Sequence, residues 1–228
     1  MKEIQVEICC NSATSAANAI EGGARRVELC QDLGGGGTTP SAAAIEYCVQ
    51  HGLRTHVLIR PRTGNFCYDD VEFSVMLRDI EYAKELGAHA VVVGFLTPDG
   101  DIDVPRTCQA VLAAAPMEVT FHRAFDECRY PLQALEQIID CGCHRLLTSG
   151  CQPAASMGVA LLSQLVRQAR GRIGIIAAAG IVPSNVREIV EASGVDEVHG
   201  SCKTTLDGVT LTDTAQVRAL LEAVRGLR

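Results

Sequence analysis

The sequence predicts an α/β fold, a single-domain (β/α)8 barrel of the TIM type spanning residues 1–228. Three observations lead there. Short β-like runs alternate with helix-like segments from one end of the chain to the other, with no break in composition that would mark a linker. Eight such units fit in 228 residues, the size of a closed parallel barrel. Several strands carry polar residues at every second position. A doubly wound open sheet buries both faces of its strands and should read as unbroken apolar runs, so the alternation favours the barrel.

The first strand is expected over Ile4–Cys9, with a helix over Ser12–Glu21 ending at Gly22-Gly23. The second runs Arg26–Cys30. A Gly-rich loop at Gly34–Gly37 follows, then a helix beginning after Pro40 with Ser41 as its cap. The third, Thr55–Arg60, leads through a loop holding Pro61 and Gly64 into a helix over Asp69–Leu86 closed by Gly87. Ala90–Phe95 is the fourth, before a loop at Thr97–Asp103 and a helix to about Ala115. The fifth is Met117–His122, with a helix from Pro131 to Asp140. The sixth is Arg145–Thr148, with a helix over Ser156–Arg170. The seventh is Ile173–Ala178, with a helix from Pro183 to Ala192. The eighth is Val195–His199, and a last helix runs from Asp213 to Arg225.

Composition narrows the function classes. Hydrophobic residues make up 47% and aromatic residues 4%, with no Trp, so the core is aliphatic. A formal charge of −7 without any Lys/Arg-rich run argues against nucleic acid or an anionic membrane as partner. The start, MKEIQVEICC, lacks the apolar core of a signal peptide, and no apolar run reaches membrane-spanning length. A cytoplasmic protein is the expectation, and its eleven cysteines are then reduced thiols. No CxxC pair occurs to signal a tetrahedral zinc site. Gly34–Gly37 lacks the GxxxxGK[ST] phosphate pattern and is read as a flexible loop, so no organic cofactor is indicated.

Parity along each strand separates the faces. Val6, Ile8, Val27, Leu29, Val57, Ile59, Val119 and Phe121 should face the helices. Glu7, Cys9, Arg26, Glu28, Cys30, His56, Leu58, Arg60, Glu118, Thr120, His122, Glu197 and His199 should then face the barrel axis. The functional end of such a barrel is the carboxyl end of its strands. Glu7, Glu28, Arg60, His122 and His199 fall there, with Arg62, Arg123 and Asp126 in the adjoining loops. Glu118 and Glu197 lie deeper and suit an internal ion-pair network. The mouth group supports acid–base chemistry on a small anionic metabolite: Glu7, Glu28, His122 and His199, with Asp126, as candidate acids and bases, and Arg60, Arg62 and Arg123 as candidate anion clamps. Gly180 after the seventh strand and Gly200-Ser201 after the eighth stand where barrels bind phosphate through backbone N–H groups. Cys9 and Cys30 end adjacent strands, and Cys67 lies in the next loop. Three soft thiolates there could hold Cu(I) or Zn(II), or could be plain packing.

Six separated stretches resemble the CutC family: Val6-Glu7-Ile8-Cys9; Gly23-Ala24-Arg25-Arg26-Val27-Glu28-Leu29-Cys30; Arg60 through Tyr68; Thr120 through Asp126; Leu147-Thr148-Ser149-Gly150; and Glu197-Val198-His199. They occur in the family's order across nearly the whole chain. One departure is Asn65, where the family usually has Asp. The resemblance implies a cytoplasmic barrel, often a homodimer, that binds Cu(I) in copper homeostasis through cysteines matching Cys9 and Cys30. Two expectations therefore stand side by side: a copper-binding protein using thiolates at the carboxyl end, and an enzyme using the Glu/His/Arg cluster on a carboxylate or phosphate compound.

Overall fold

The computed structural model describes residues 3–227, so the expected domain range 1–228 extends past it at Met1, Lys2 and Arg228. Eight parallel strands close into a barrel in sequence order, each hydrogen-bonded to its chain neighbours and the last to the first. They are β1 (Gln5–Cys10), β2 (Arg26–Leu29), β3 (Arg54–Leu58), β4 (Ala90–Val93), β5 (Glu118–Phe121), β6 (Arg145–Thr148), β7 (Gly174–Ala177) and β8 (Glu197–Gly200). The helices are α1 (Ala13–Glu21), α2 (Ala42–Gln50), α3 (Asp70–Glu85), α4 (Val104–Ala114), α5 (Pro131–Asp140), α6 (Val159–Ala169), α7 (Val186–Ser193) and α8 (Thr214–Ala223). None of them is long and apolar enough to cross a membrane.

The outward residues of the strands, among them Ile8, Val27, Val57, Val91, Val119, Leu146, Ile175 and Val198, join the helices' apolar faces in one core. Each is worth roughly 1.5–3 kcal/mol when fully buried. Inside the barrel two small apolar clusters remain, Cys9–Cys30–Leu58–Val92 and Leu147–Ile176–Ala178. The interior is thus mixed: inward charges come from β1, β2, β3, β5, β6 and β8, and inward aliphatic side chains from β3, β4, β6 and β7.

Helix starts follow local chemistry. Ser12, Ser41, Asp103 and Asp213 accept the N–H of the third residue onward, and Asp69 with Glu72 forms a reciprocal capping box before α3. Three segments depart from the expected layout. Gly34–Gly37 is not a loose loop. Its start forms a 3-10 turn over Leu33–Gly35 held by the Asp32 carboxylate, and Arg60 donates to the carbonyls of Gly35 and Gly37. Strand β5 ends at Phe121, because His122 turns its ring back to cap a 3-10 turn over Arg123–Glu127. Finally, an antiparallel hairpin, β9 (Lys203–Leu206) and β10 (Val209–Thr212), stands between β8 and α8. Asp207 and Gly208 turn it, both at positive φ (50° and 78°). The alternating Thr-Thr-Leu-Asp-Gly-Val-Thr-Leu-Thr run carries that signal, Asp-Gly between two β-prone arms.

Candidate functional site

A cavity of ≈ 560 Å³ opens at the carboxyl end of the barrel. Its wall includes Cys9, Glu28, Arg60, His122, Arg123, Gly180, His199, Gly200 and Ser201, with Leu58 and Leu147 as apolar floor. The strands bring these groups together because each sits at the last inward position of its strand or just beyond it. Register places Cys9 beside Glu28 and Glu7 beside His199.

Glu7 lies behind the wall rather than on it. It is fully buried and gathers three cations or potential cations: His56 Nδ1 at 2.7 Å, His199 Nδ1 at 2.9 Å and Arg26 Nε at 3.1 Å. Burial alone would raise its pKa, but His56, His199 and Arg26 hold the carboxyl well below the usual carboxylate range. Glu7 is therefore a fixed anion that orients His199. His199 in turn shows Nε2 to Glu28 Oε2 at 3.8 Å. Burial opposes charging this ring, yet Glu28 and the Glu7 hydrogen bond outweigh it and raise its pKa. Glu28 moves the other way from Glu7: burial raises its pKa, Glu7 adds to the rise, and His199 only partly offsets it. Two carboxylates on adjacent strands thus have opposite tendencies, one locked as an anion and one ready to take a proton.

His122 faces the cavity from the end of β5. Its Nδ1 accepts the backbone N–H of Ala124 at 3.1 Å, while Nε2 has no hydrogen-bond partner among the described residues. Burial and the neighbouring Arg60 guanidinium push its pKa down to about 3. Arg60 donates to three backbone carbonyls, Gly35, Gly37 and Gly64, and lies 4.9 Å from the centre of the Phe66 ring. No carboxylate pairs with it among the described residues, so a buried cation faces the cavity uncompensated. Such a charge is costly without a partner.

The sequence-predicted residues divide accordingly. Cys9, Glu28, Arg60, His122, Arg123, His199, Gly180, Gly200 and Ser201 share the cavity. Asp126 does not reach it. Its carboxylate accepts from Arg123 Nε, from the Thr148 and Ser149 hydroxyls and from the Ser149 and Cys151 N–H groups, tying the loop after β6 to the turn after β5. Arg62 turns outward to Glu72 on α3 and to the carbonyls of Asn65 and Cys67, away from the cavity. Cys67 packs against the outer core, so the three thiols do not meet. Cys9 and Cys30 do: their Sγ atoms are 3.9 Å apart. Cys30 and burial push the Cys9 thiol well up. Cys9, Glu28 and His199 form the one group of described residues with three metal-ligating atoms within 4.8 Å.

Parity missed four contributors. Lys203, Gln216 and Phe66 reach the wall from the hairpin, α8 and the loop after β3. Gly94, at the end of β4, is required for space: a Cβ there would fall 2.3 Å from the His122 ring. In the loops after β7 and β8, Ala179 and Cys202 adopt left-handed backbone (φ 73° and 44°) unusual for residues with a side chain. Strain of this kind concentrates at functional sites.

The CutC family model matches residues 4–204. A family protein CutC of Bacteroides fragilis is 48% identical over 208 residues, covering 90% of this chain and 83% of that protein. One of Chromobacterium violaceum is 49% identical over 199 residues, covering 87% and 81%. Among solved structures, a protein of Streptococcus agalactiae described as a candidate copper homeostasis protein CutC superposes with TM-score 0.83 at 33% identity, covering 87% of this chain and 98% of that one. Phosphoribosylanthranilate isomerase of Pyrococcus furiosus, at 15% identity and TM-score 0.64, shares the barrel fold. With the family model spanning most of its length and relatives near half identity across it, this chain belongs to the CutC family.

Proposed function

We propose that this protein is an enzyme that works by proton transfer on a small anionic metabolite held in the carboxyl-end cavity. The observation that carries the reading is the unpaired charge there. Arg60 is buried against carbonyls with no carboxylate, and Glu28, whose pKa burial raises, stands 3.8 Å from His199 with no guanidinium partner among the described residues. A purely structural interior would neutralise such groups, as the amino end of this barrel does. An anionic ligand supplies the missing counter-charge to Arg60, with Arg123 and the backbone of the loops after β7 and β8 beside it. The test is equilibrium dialysis of the whole protein against sugar phosphates and 2-oxo acids. Binding that falls at least about tenfold in Arg60→Ala supports the reading, and equal binding by parent and variant overturns it.

A second reading, Cu(I) capture, is favoured by one observation, the 3.9 Å separation of the Cys9 and Cys30 thiols. Soft thiolates suit Cu(I), and both ends of the pair lie at the cavity side of adjacent strands. The raised Cys9 pKa means that copper would have to displace a proton, so affinity should rise with pH. An anaerobic titration against a chromogenic chelator decides it: one tight Cu(I) lost in the Cys9→Ser/Cys30→Ser double variant supports capture, and weak binding shared among many thiols counts against it. We further propose a cytoplasmic homodimer built from one barrel domain, which light scattering of the purified protein would test.

A further inference from the structure

Resting on the enzymatic reading above, we propose that the reaction is enolisation: Glu28 removes a proton from the carbon next to a carbonyl of a small anionic compound, and His122 Nε2–H donates to the carbonyl oxygen.

His122 is built as a donor and as nothing else. The Ala124 N–H can only donate, so Nδ1 must accept and the ring proton must sit on Nε2. That N–H is buried and lacks an acceptor among the described residues. An unsatisfied buried donor is costly, and the cost is removed when a ligand oxygen arrives. The ring is also fixed in place. It packs directly against β4, where any residue but Gly94 would put a Cβ 2.3 Å from Cε1 and Nδ1. Phe66 covers its other side, with ring centroids 5.0 Å apart. A neutral imidazole N–H beside the Arg60 cation is the equipment needed to stabilise charge that appears on an oxygen only during reaction.

Glu28 is built as a base. Its neighbours are Cys9 Sγ at 3.6 Å and His199 Nε2 at 3.8 Å, both too far for strong hydrogen bonds that would lock it as an anion. Strands β2 and β5 stand three places apart in the ring of eight, so Glu28 and His122 approach a ligand from well-separated sides of the same cavity. Leu58 and Leu147 line the same cavity as apolar groups. His199, backed by Glu7, is the neighbour through which Glu28 can exchange its proton.

The step balances without a cofactor or oxidant. The C–H bond breaks, its proton goes to a Glu28 oxygen, and its electron pair becomes the new C=C bond. The carbonyl π pair moves to oxygen, whose charge His122 N–H and Arg60 hold. Returning the proton to the same carbon gives an epimer or an exchanged substrate; where the former carbonyl carbon takes it instead, a hydroxyl on the first carbon passes its proton to the enolate oxygen and becomes the new carbonyl, giving an isomer.

The experiment is deuterium incorporation followed by NMR, using the full chain in D2O with dihydroxyacetone phosphate, D-ribulose 5-phosphate and pyruvate as probes. Binding of each probe is measured on the same samples. We expect at least one probe to exchange about 100-fold faster than in buffer. Glu28→Gln should lower kcat by about 100-fold with KM little changed, and His122→Ala by a similar factor. Circular dichroism melting of both variants separates loss of chemistry from loss of fold. Binding that depends on Arg60 but brings no exchange overturns enolisation and leaves the anionic-substrate reading standing. Exchange that survives both substitutions also overturns enolisation. Neither binding nor exchange with any probe counts against both readings.

Discussion

At the amino end of the barrel, Arg26, Glu197, Arg145, Glu118 and Arg54 form a chain in which every carboxylate lies between two guanidinium groups. At the carboxyl end the same residue types stand in a different relation. Among the described residues Arg60 has no carboxylate, His122 keeps an unused N–H, and Glu28 has the Cys9 thiol at 3.6 Å and His199 at 3.8 Å but no guanidinium. Arg26 and Glu197 in the first set are as deeply buried as Arg60, Glu28 and His122 in the second, so burial does not distinguish the two. Pairing with opposite charge does. At the amino end each carboxylate is shared by two guanidinium groups, whereas at the mouth Arg60 has no carboxylate partner among the described residues.

The comparison breaks most readily at Glu197. Its removal leaves Arg26 and Arg145 facing each other in a buried site, so Glu197→Ala should cost about 3–5 kcal/mol in chemical denaturation. Glu28→Gln should stay within about 1 kcal/mol of the parent, because it removes a charge that burial already disfavours. Similar losses for the two would erase the distinction. An effect between those two is expected at Gly94→Ala, where the new Cβ meets the His122 ring and Ala124. Overpacking of this sort costs about 1–3 kcal/mol, and displacement of the ring should also weaken anion binding.

Titration sharpens the contrast within the mouth itself. The folded pKa of His199 lies above its ordinary value of 6.5, so its contribution is complete below pH 6.5 and fades as pH rises through the folded value. The Tm difference between parent and His199→Gln should therefore shrink above pH 6.5. His122, down to about 3, behaves oppositely: its contribution is complete above pH 6.5 and is lost as pH falls toward 3. A His122→Asn variant should lack that part of the acid-side loss, as thermal melts across this range would reveal. The smallest effect belongs to Arg62→Ala. Its half-exposed pairing with Glu72 is worth about 1 kcal/mol or less, and ligand binding should not change. A clear loss of binding would return Arg62 to the site.

Much of this was legible in the chain. Period-two alternation in β1, β2, β3, β5 and β8 sorts inward from outward side chains without any tertiary information, since a strand can only present successive residues to opposite faces. Eight repeats of strand and helix then leave few ways to bury both sets of faces. Cys9, Glu28, Arg60, His122 and His199 follow from that parity and lie on one cavity. Separately from parity, six motifs in order along the chain resemble the CutC family, whose model matches residues 4–204.

What parity could not reach is anything set by loops or by distance. Arg62 and Arg60 are two residues apart and chemically identical, yet one pairs with Glu72 on α3 and the other enters the barrel. Asp126 reads as an acid near the mouth, and only the fold shows it saturated by the loop after β6. Opposite pKa tendencies of Glu7 and Glu28 depend on which cations from β2, β3 and β8 surround each one. The sequence determined the barrel and its inner face because backbone geometry is local and periodic. The tertiary structure decided which charges are satisfied, because electrostatic partners come from strands and loops far apart in the chain.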